Sequence, residues 1–205
     1  MINTVTLRKA LGWLGMLLPW IVVAGSVIFG YGFPESISAT YYVSTCVAPF
    51  MIILGAAGIL LINYNGYDRH DATICTLAGI FGLFICLFPC ESNDYAFVGT
   101  FNMPSHISGW IHNISAVIFF GLLAYNSICL FTKSAGEMTE EKKKRNLIYK
   151  VCGYGMIGSF ILLPLLTLLH IPSAIWIIEM LALTFFGISW LTKSQCYSWL
   201  FRDKE

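Results

Sequence analysis

Apolar residues run uninterrupted through six stretches of the chain, at about residues 11–30, 45–62, 72–88, 110–131, 151–169 and 174–191. A helix needs about 20 apolar residues to cross a bilayer core, so each run reads as a membrane span, the second, third and sixth near the short limit. The sixth carries one charge, Glu179. Its Ile, Leu and Phe residues each contribute roughly −0.3 to −0.6 kcal/mol to insertion and a central charge costs about 3, so the span survives. The connections between runs are too short to thread a strand across a bilayer, and consecutive spans therefore form helical hairpins. The predicted fold is all-α, a single polytopic helical bundle without a soluble domain.

Composition agrees. Of 205 residues, 57% are hydrophobic and 11% charged, against about 25% charged in soluble domains. Six spans use about 120 positions, and the remainder is too finely divided for an extramembrane domain. A net charge of +1 offers no basis for nucleic-acid binding. Charge distribution is more informative than the total. All 12 Lys and Arg residues fall on one side of the six-span arrangement: Arg8 and Lys9 before the first span, Arg69 in the second connection, six between Lys133 and Lys150, and Lys193, Arg202 and Lys204 after the last. No five- or seven-span reading keeps this partition. The positive-inside rule then places both termini in the cytoplasm and the protein in a cell membrane. The first run is too long for the core of a signal peptide and reads as a retained anchor.

Small residues mark the expected helix crossings: Gly55 and Gly58 in the second span, Cys75 with Gly79 and Ala78 with Gly82 in the third. Pro19, Pro49 and Pro164 each remove a backbone donor and are expected to kink their spans. Gly153-Tyr154-Gly155-Met156-Ile157-Gly158 matches G-x-G-x-x-G, but it lies inside an apolar span rather than after a strand, so it reads as helix packing. Asp71 is placed to cap the third span and Ser108 the fourth. The fourth connection starts acidic at Glu137 and ends basic, as an approach to an inner membrane surface should.

The polar chemistry collects on the side opposite the cations. An ionisable residue at the depth of Glu179, about 6 Å from the bilayer centre, faces protein or water rather than lipid. Ser108, His112 and Ser115 can share one helix face, and His170 ends the fifth span. These residues predict an outward polar cleft in which Glu179 meets His112 or His170, with Ser108 beside them. His106 and His112 are out of phase on a helix, and neither H-E-x-x-H nor H-x-x-x-H occurs, so spacing predicts no metal site and no cofactor. Cys46 and Cys90 should lie near the outer ends of adjacent spans and are the one pair proposed as a disulfide.

Gly79–Pro89 (GIFGLFICLFP), a polar outer loop, then His106 or His112 with Ala116 and Phe119-Phe120 resembles a "G…FP…H…A…FF" segment. That segment belongs to uncharacterised prokaryotic six-helix membrane proteins, distantly similar to the FRAG/DRAM/Sfk-type eukaryotic membrane family. The likeness covers spans two to four and implies a compact six-span bundle without a settled activity. Ser108 and His112 also match the Ser-x-x-x-His of ceramidase-like membrane hydrolases, whose accompanying His-x-x-x-His is missing here. The leading expectation is non-enzymatic: binding of a lipid or small amphiphile, or passage of a small solute, through the cleft at Glu179. One alternative is a metal-dependent intramembrane hydrolase built from His112, His170, Glu179 and Ser108. The other is an assembly or regulatory partner that meets proteins through its small-residue helix faces.

Overall fold

The structure, a computed structural model, describes residues 3–134 and 138–196. Glu137, Arg202 and Lys204 lie outside the described residues. Every apolar run becomes a helix: α1 (Thr4–Ile28), α2 (Val47–Ile62), α3 (Arg69–Leu87), α4 (Ser105–Tyr125), α5 (Glu140–Leu168) and α6 (Ala174–Lys193). Five are long and apolar enough to cross a membrane, and the chain is a membrane helical protein. The exception is α2, with 16 residues, which rises about 24 Å against a hydrocarbon core of about 30 Å.

Three features depart from the apolar pattern. A wider π-type turn, Asn126–Leu130, continues α4. The α1–α2 connection holds a 3-10 helix, Ser38–Tyr42. In the α3–α4 connection, β1 (Phe97–Val98) and β2 (Met103–Pro104) pair antiparallel.

Two predicted caps are displaced. Asp68, not Asp71, caps α3, its carboxylate accepting from the Asp71 N–H at 2.9 Å. Asp71 lies in the first turn, 3% exposed. It accepts from the Tyr67 N–H (3.1 Å) and from Lys133 Nζ (2.5 Å). The helix starts before the apolar run because Asp68 supplies an earlier cap. Likewise α4 starts at Ser105, directly after Pro104, so Ser108 lies inside the helix and its hydroxyl is used elsewhere. Pro49 falls in the first turn of α2, where its missing N–H costs no intrahelical bond. Pro19 and Pro164 are truly interior.

Asp68 is bonded first to the Asp71 backbone N–H and then to the Lys133 ammonium (2.9 Å), which hold its carboxyl down to about 2 from the ordinary 3.8. A depressed carboxyl stabilises the folded state above its unfolded pKa, and that contribution disappears as pH falls through the folded value. Asp68→Asn keeps the capping oxygen and loses the charge. Its deficit in thermal midpoint against the parent should be modest, because the pair is half exposed. The gap should close as pH drops from about 4 to about 2. A gap that stays constant across that range in detergent unfolding scans would contradict the ion-pair account.

Packing follows chain order. Each helix packs on the next, and α6 packs on α1, so the six helices close into a ring. Apolar side chains such as Trp20, Ile52, Val117, Ile161 and Leu168 remain exposed around the outside, as a lipid-facing surface requires. At the crossing of α2 on α3, Gly58 and Gly79 meet backbone to backbone. Gly82 accommodates Phe119, and two glycines of the G-x-G-x-x-G run also serve packing: Gly153 faces Ile128 and Gly155 faces Phe185, whereas Gly158 has nothing within 4 Å of a Cβ.

Candidate functional site

Trp176, Glu179, Leu183 and Phe186 recur at helical spacing along α6, and the three apolar members are buried. The Glu179 carboxylate is therefore carried inward by the same stripe that builds the core. Above it, the α1–α2 connection folds back over the start of α6. The Trp176 backbone N–H donates to Glu35 O at 3.1 Å. The Trp176 ring meets Phe33 and Trp20 edge-on, with centroids 4.9 and 6.2 Å away. Both carboxylate oxygens of Glu179 accept from this connection: Oε2 from the Ile37 N–H (2.5 Å) and Oε1 from Ser38 Oγ (2.7 Å). Ile37 is buried beside them, and its carbonyl accepts from Thr40 Oγ1.

His112 approaches from α4 and is 3% exposed. Its Nδ1 lies 2.8 Å from Phe88 O and its Nε2 lies 3.0 Å from Ser38 Oγ. Ser38 thus bridges Glu179 and His112. A carbonyl only accepts, so Nδ1 carries a proton. The single Ser38 proton then allows two arrangements. In one, a neutral Glu179 donates to Ser38, which donates to a neutral His112. In the other, a protonated His112 donates to Ser38, which donates to the Glu179 carboxylate. They differ by moving two protons along the chain, so Ser38 can relay a proton between carboxyl and imidazole without a change in net charge.

Ser108 lies one turn before His112 on the same face of α4 and donates to Pro89 O at 2.7 Å. The Ser105 hydroxyl accepts from the Ser92 N–H (2.8 Å) and donates to the Ser92 carbonyl (3.0 Å). This serine face fixes the α3–α4 connection and, through Phe88 O, the imidazole orientation. Ser115 continues it and is buried. His170 is elsewhere: it is exposed in the α5–α6 turn, at a φ of 52°, and takes no part in the chain. Residues 168–172 are exposed throughout, which leaves the imidazole outside the buried interior.

Cys46 and Cys90 are both free thiols. Cys46 Sγ donates to Val22 O on α1 at 3.2 Å, turned to the α1–α2 crossing instead of toward α3. Burial pushes the Cys90 thiol up to about 12, with the Glu179 charge adding to the effect, so it is protonated at neutral pH. Among the described residues no group of three or more His, Cys, Asp or Glu side chains is placed to hold a metal ion.

Beneath Glu179 and Ser38 lies a cavity of about 60 Å³ with contributions from all six helices, among them Leu18, Phe50, Ile85, Phe119, Phe160 and Leu183. Its walls are apolar and Glu179 and Ser38 are its polar cover. A polar site needs roughly 10–15 Å³ of such space per water, so the cavity has room for a few waters or a small ligand group. Ser38 escaped the sequence reading because it lies in a connection with no motif. Only the polar Ser36-Ile37-Ser38 stretch between two apolar runs hinted that this segment folds onto protein.

Against known proteins, the chain matches no family model, no curated protein and no solved structure.

Proposed function

We propose that the chain is a six-span protein with both termini on the cytoplasmic side, and that its outward end binds a small amphiphile at Glu179. The reading is non-enzymatic. The polar group of the amphiphile bonds the Glu179–Ser38–His112 chain and its first carbons enter the cavity below. The cation partition supports the orientation: Arg8, Lys133, Lys142, Arg145 and Lys193 line one basin, away from Glu179, which bonds the α1–α2 connection. The observation that carries the binding reading is the cavity itself. Its walls suit hydrocarbon, and its cover combines donors and acceptors, which is the division of labour in small-molecule sites. The chain of Glu179, Ser38 and His112 can present a donor or an acceptor to an alcohol or amine, because its protons can shift.

The test compares dodecanol, dodecylamine and dodecane as stabilisers of the purified protein. The alcohol or amine should raise the thermal midpoint more than the alkane. A ligand at ten times its Kd contributes about 1.4 kcal/mol. In Glu179→Gln, which keeps one acceptor oxygen, the preference should be lost while the yield of folded protein stays normal. Equal responses to all three compounds in the parent would remove the proposal. So would a Glu179→Gln protein whose only change is a lower yield.

A further inference from the structure

At the opposite end of the ring from Glu179 the structure holds a second and larger cavity, of about 440 Å³. Five cations line it: Arg8 from α1, Lys133 from the α4–α5 connection, Lys142 and Arg145 from α5, and Lys193 from the last turn of α6. Lys133 is neutralised by Asp68 and Asp71. Among the described residues, the other four form no salt bridge with a carboxylate.

Three of them, Lys193, Lys142 and Arg8, have neutral partners. Lys193, 7% exposed, donates to Tyr67 Oη and Phe131 O, both at 3.3 Å. Its ammonium also lies over the rings of Tyr67, Phe131 and Tyr149, at 4.7, 5.0 and 5.7 Å from their centroids. Lys142 Nζ donates to the same Phe131 carbonyl at 2.9 Å, so two ammonium groups share one oxygen. Arg8 donates through Nε to Tyr64 Oη (3.1 Å) and through Nη1 to Lys193 O (3.4 Å). An ammonium has three donors and a guanidinium five, so each of these cations keeps N–H groups unspent toward the cavity. Carbonyls and ring faces position the cations without cancelling their charge. Like charges held this close in partly buried positions repel one another, and an anion between them removes the repulsion while using the free donors.

We propose that this basin binds a phosphate-bearing anion. Its oxygens bridge Lys142, Arg145, Arg8 and Lys193, with the phenols of Tyr67 and Tyr149 at the edge. The same chemistry arrives either as the phosphomonoester headgroup of a membrane lipid or as a soluble phosphate compound. This site is independent of the Glu179 reading and stands or falls separately.

The experiment uses the full-length protein with two probes: phosphatidic acid mixed into phosphatidylcholine nanodiscs, and pyrophosphate added to the protein in neutral detergent. Binding of the lipid alone identifies a headgroup site, and binding of pyrophosphate identifies a site open to solution. Either result supports the proposal. The double variant Lys142→Gln with Arg145→Gln should weaken binding at least tenfold, and Lys193→Met, which keeps the aliphatic stem between the rings, should weaken it similarly. Lys142 and Arg145 are only half-buried, so the double variant remains informative if Lys193→Met fails to fold. Lys144→Gln with Lys150→Gln removes the same number of charges from exposed positions of α5 outside the basin and should leave binding unchanged. Equal weakening by the two double variants, or no binding of either probe, overturns the proposal.

Discussion

Gly79→Leu is expected to abolish recovery of the folded protein. A Cβ at Gly79 would come within 2.9 Å of the Ile62 backbone nitrogen and press on the Gly58 carbonyl, and neither can move without separating α2 from α3. Overpacking a tight contact typically costs about 1–3 kcal/mol when side chains can adjust. Here the obstacle is backbone, and the crossing is one that lipid-embedded helices need for close approach, so the cost should exceed about 3 kcal/mol. Gly55→Leu is the matched control: it lies on α2, but a Cβ there meets nothing within 4 Å. The fraction eluting as a single sharp peak in mild detergent measures both. Indistinguishable profiles would mean that the α2–α3 crossing is looser than described.

Trp190 supplies the second large effect. Its side chain is fully buried on α6, with ring centroids 5.0 Å from both Tyr64 and Phe131 and 6.0 Å from Phe186. It therefore joins α6 to the α2–α3 turn and to the end of α4, directly below the basic basin. Trp190→Ala should cost about 4 kcal/mol, because the surrounding aromatic groups cannot collapse into so large a void. Trp190→Phe should cost about 1 kcal/mol. The indole N–H has no hydrogen-bond partner among the described residues, so replacing it leaves no acceptor stranded. Thermal unfolding in one detergent orders the three proteins. A phenylalanine variant as damaged as the alanine variant would show that the N–H, not the ring, matters.

Hydropathy alone located all six helices, because lipid as a solvent makes the span a simple count of consecutive apolar residues. It misjudged ends where polar residues continue a helix. The polar stretch 140–150 belongs to α5, and this extension carries Lys142, Arg145 and Tyr149 to the basin. The cations were legible as a group on one side, but their convergence depends on the ring closing α6 against α1, which no local pattern encodes. Glu179 and His112 stood out because ionisable groups are rare in apolar runs. Ser38, which joins them, did not. A serine in a connection has no periodicity, and its role comes from tertiary contact across 74 residues of chain. His170 was singled out by nearness in sequence to α6, and the left-handed turn takes it elsewhere.

Closure of the ring in chain order also bears on biosynthesis. Each helix emerging from the ribosome finds its partner in the helix made just before it, so successive hairpins can settle as they enter the bilayer. The seam between α1 and α6 is different: α1 waits with one flank against lipid until the final helix arrives. Arg8 marks that seam, reaching from the first helix to the last carbonyl of α6 at 3.4 Å. The basic basin is assembled across the same seam, so it comes into being only when synthesis of the bundle is complete.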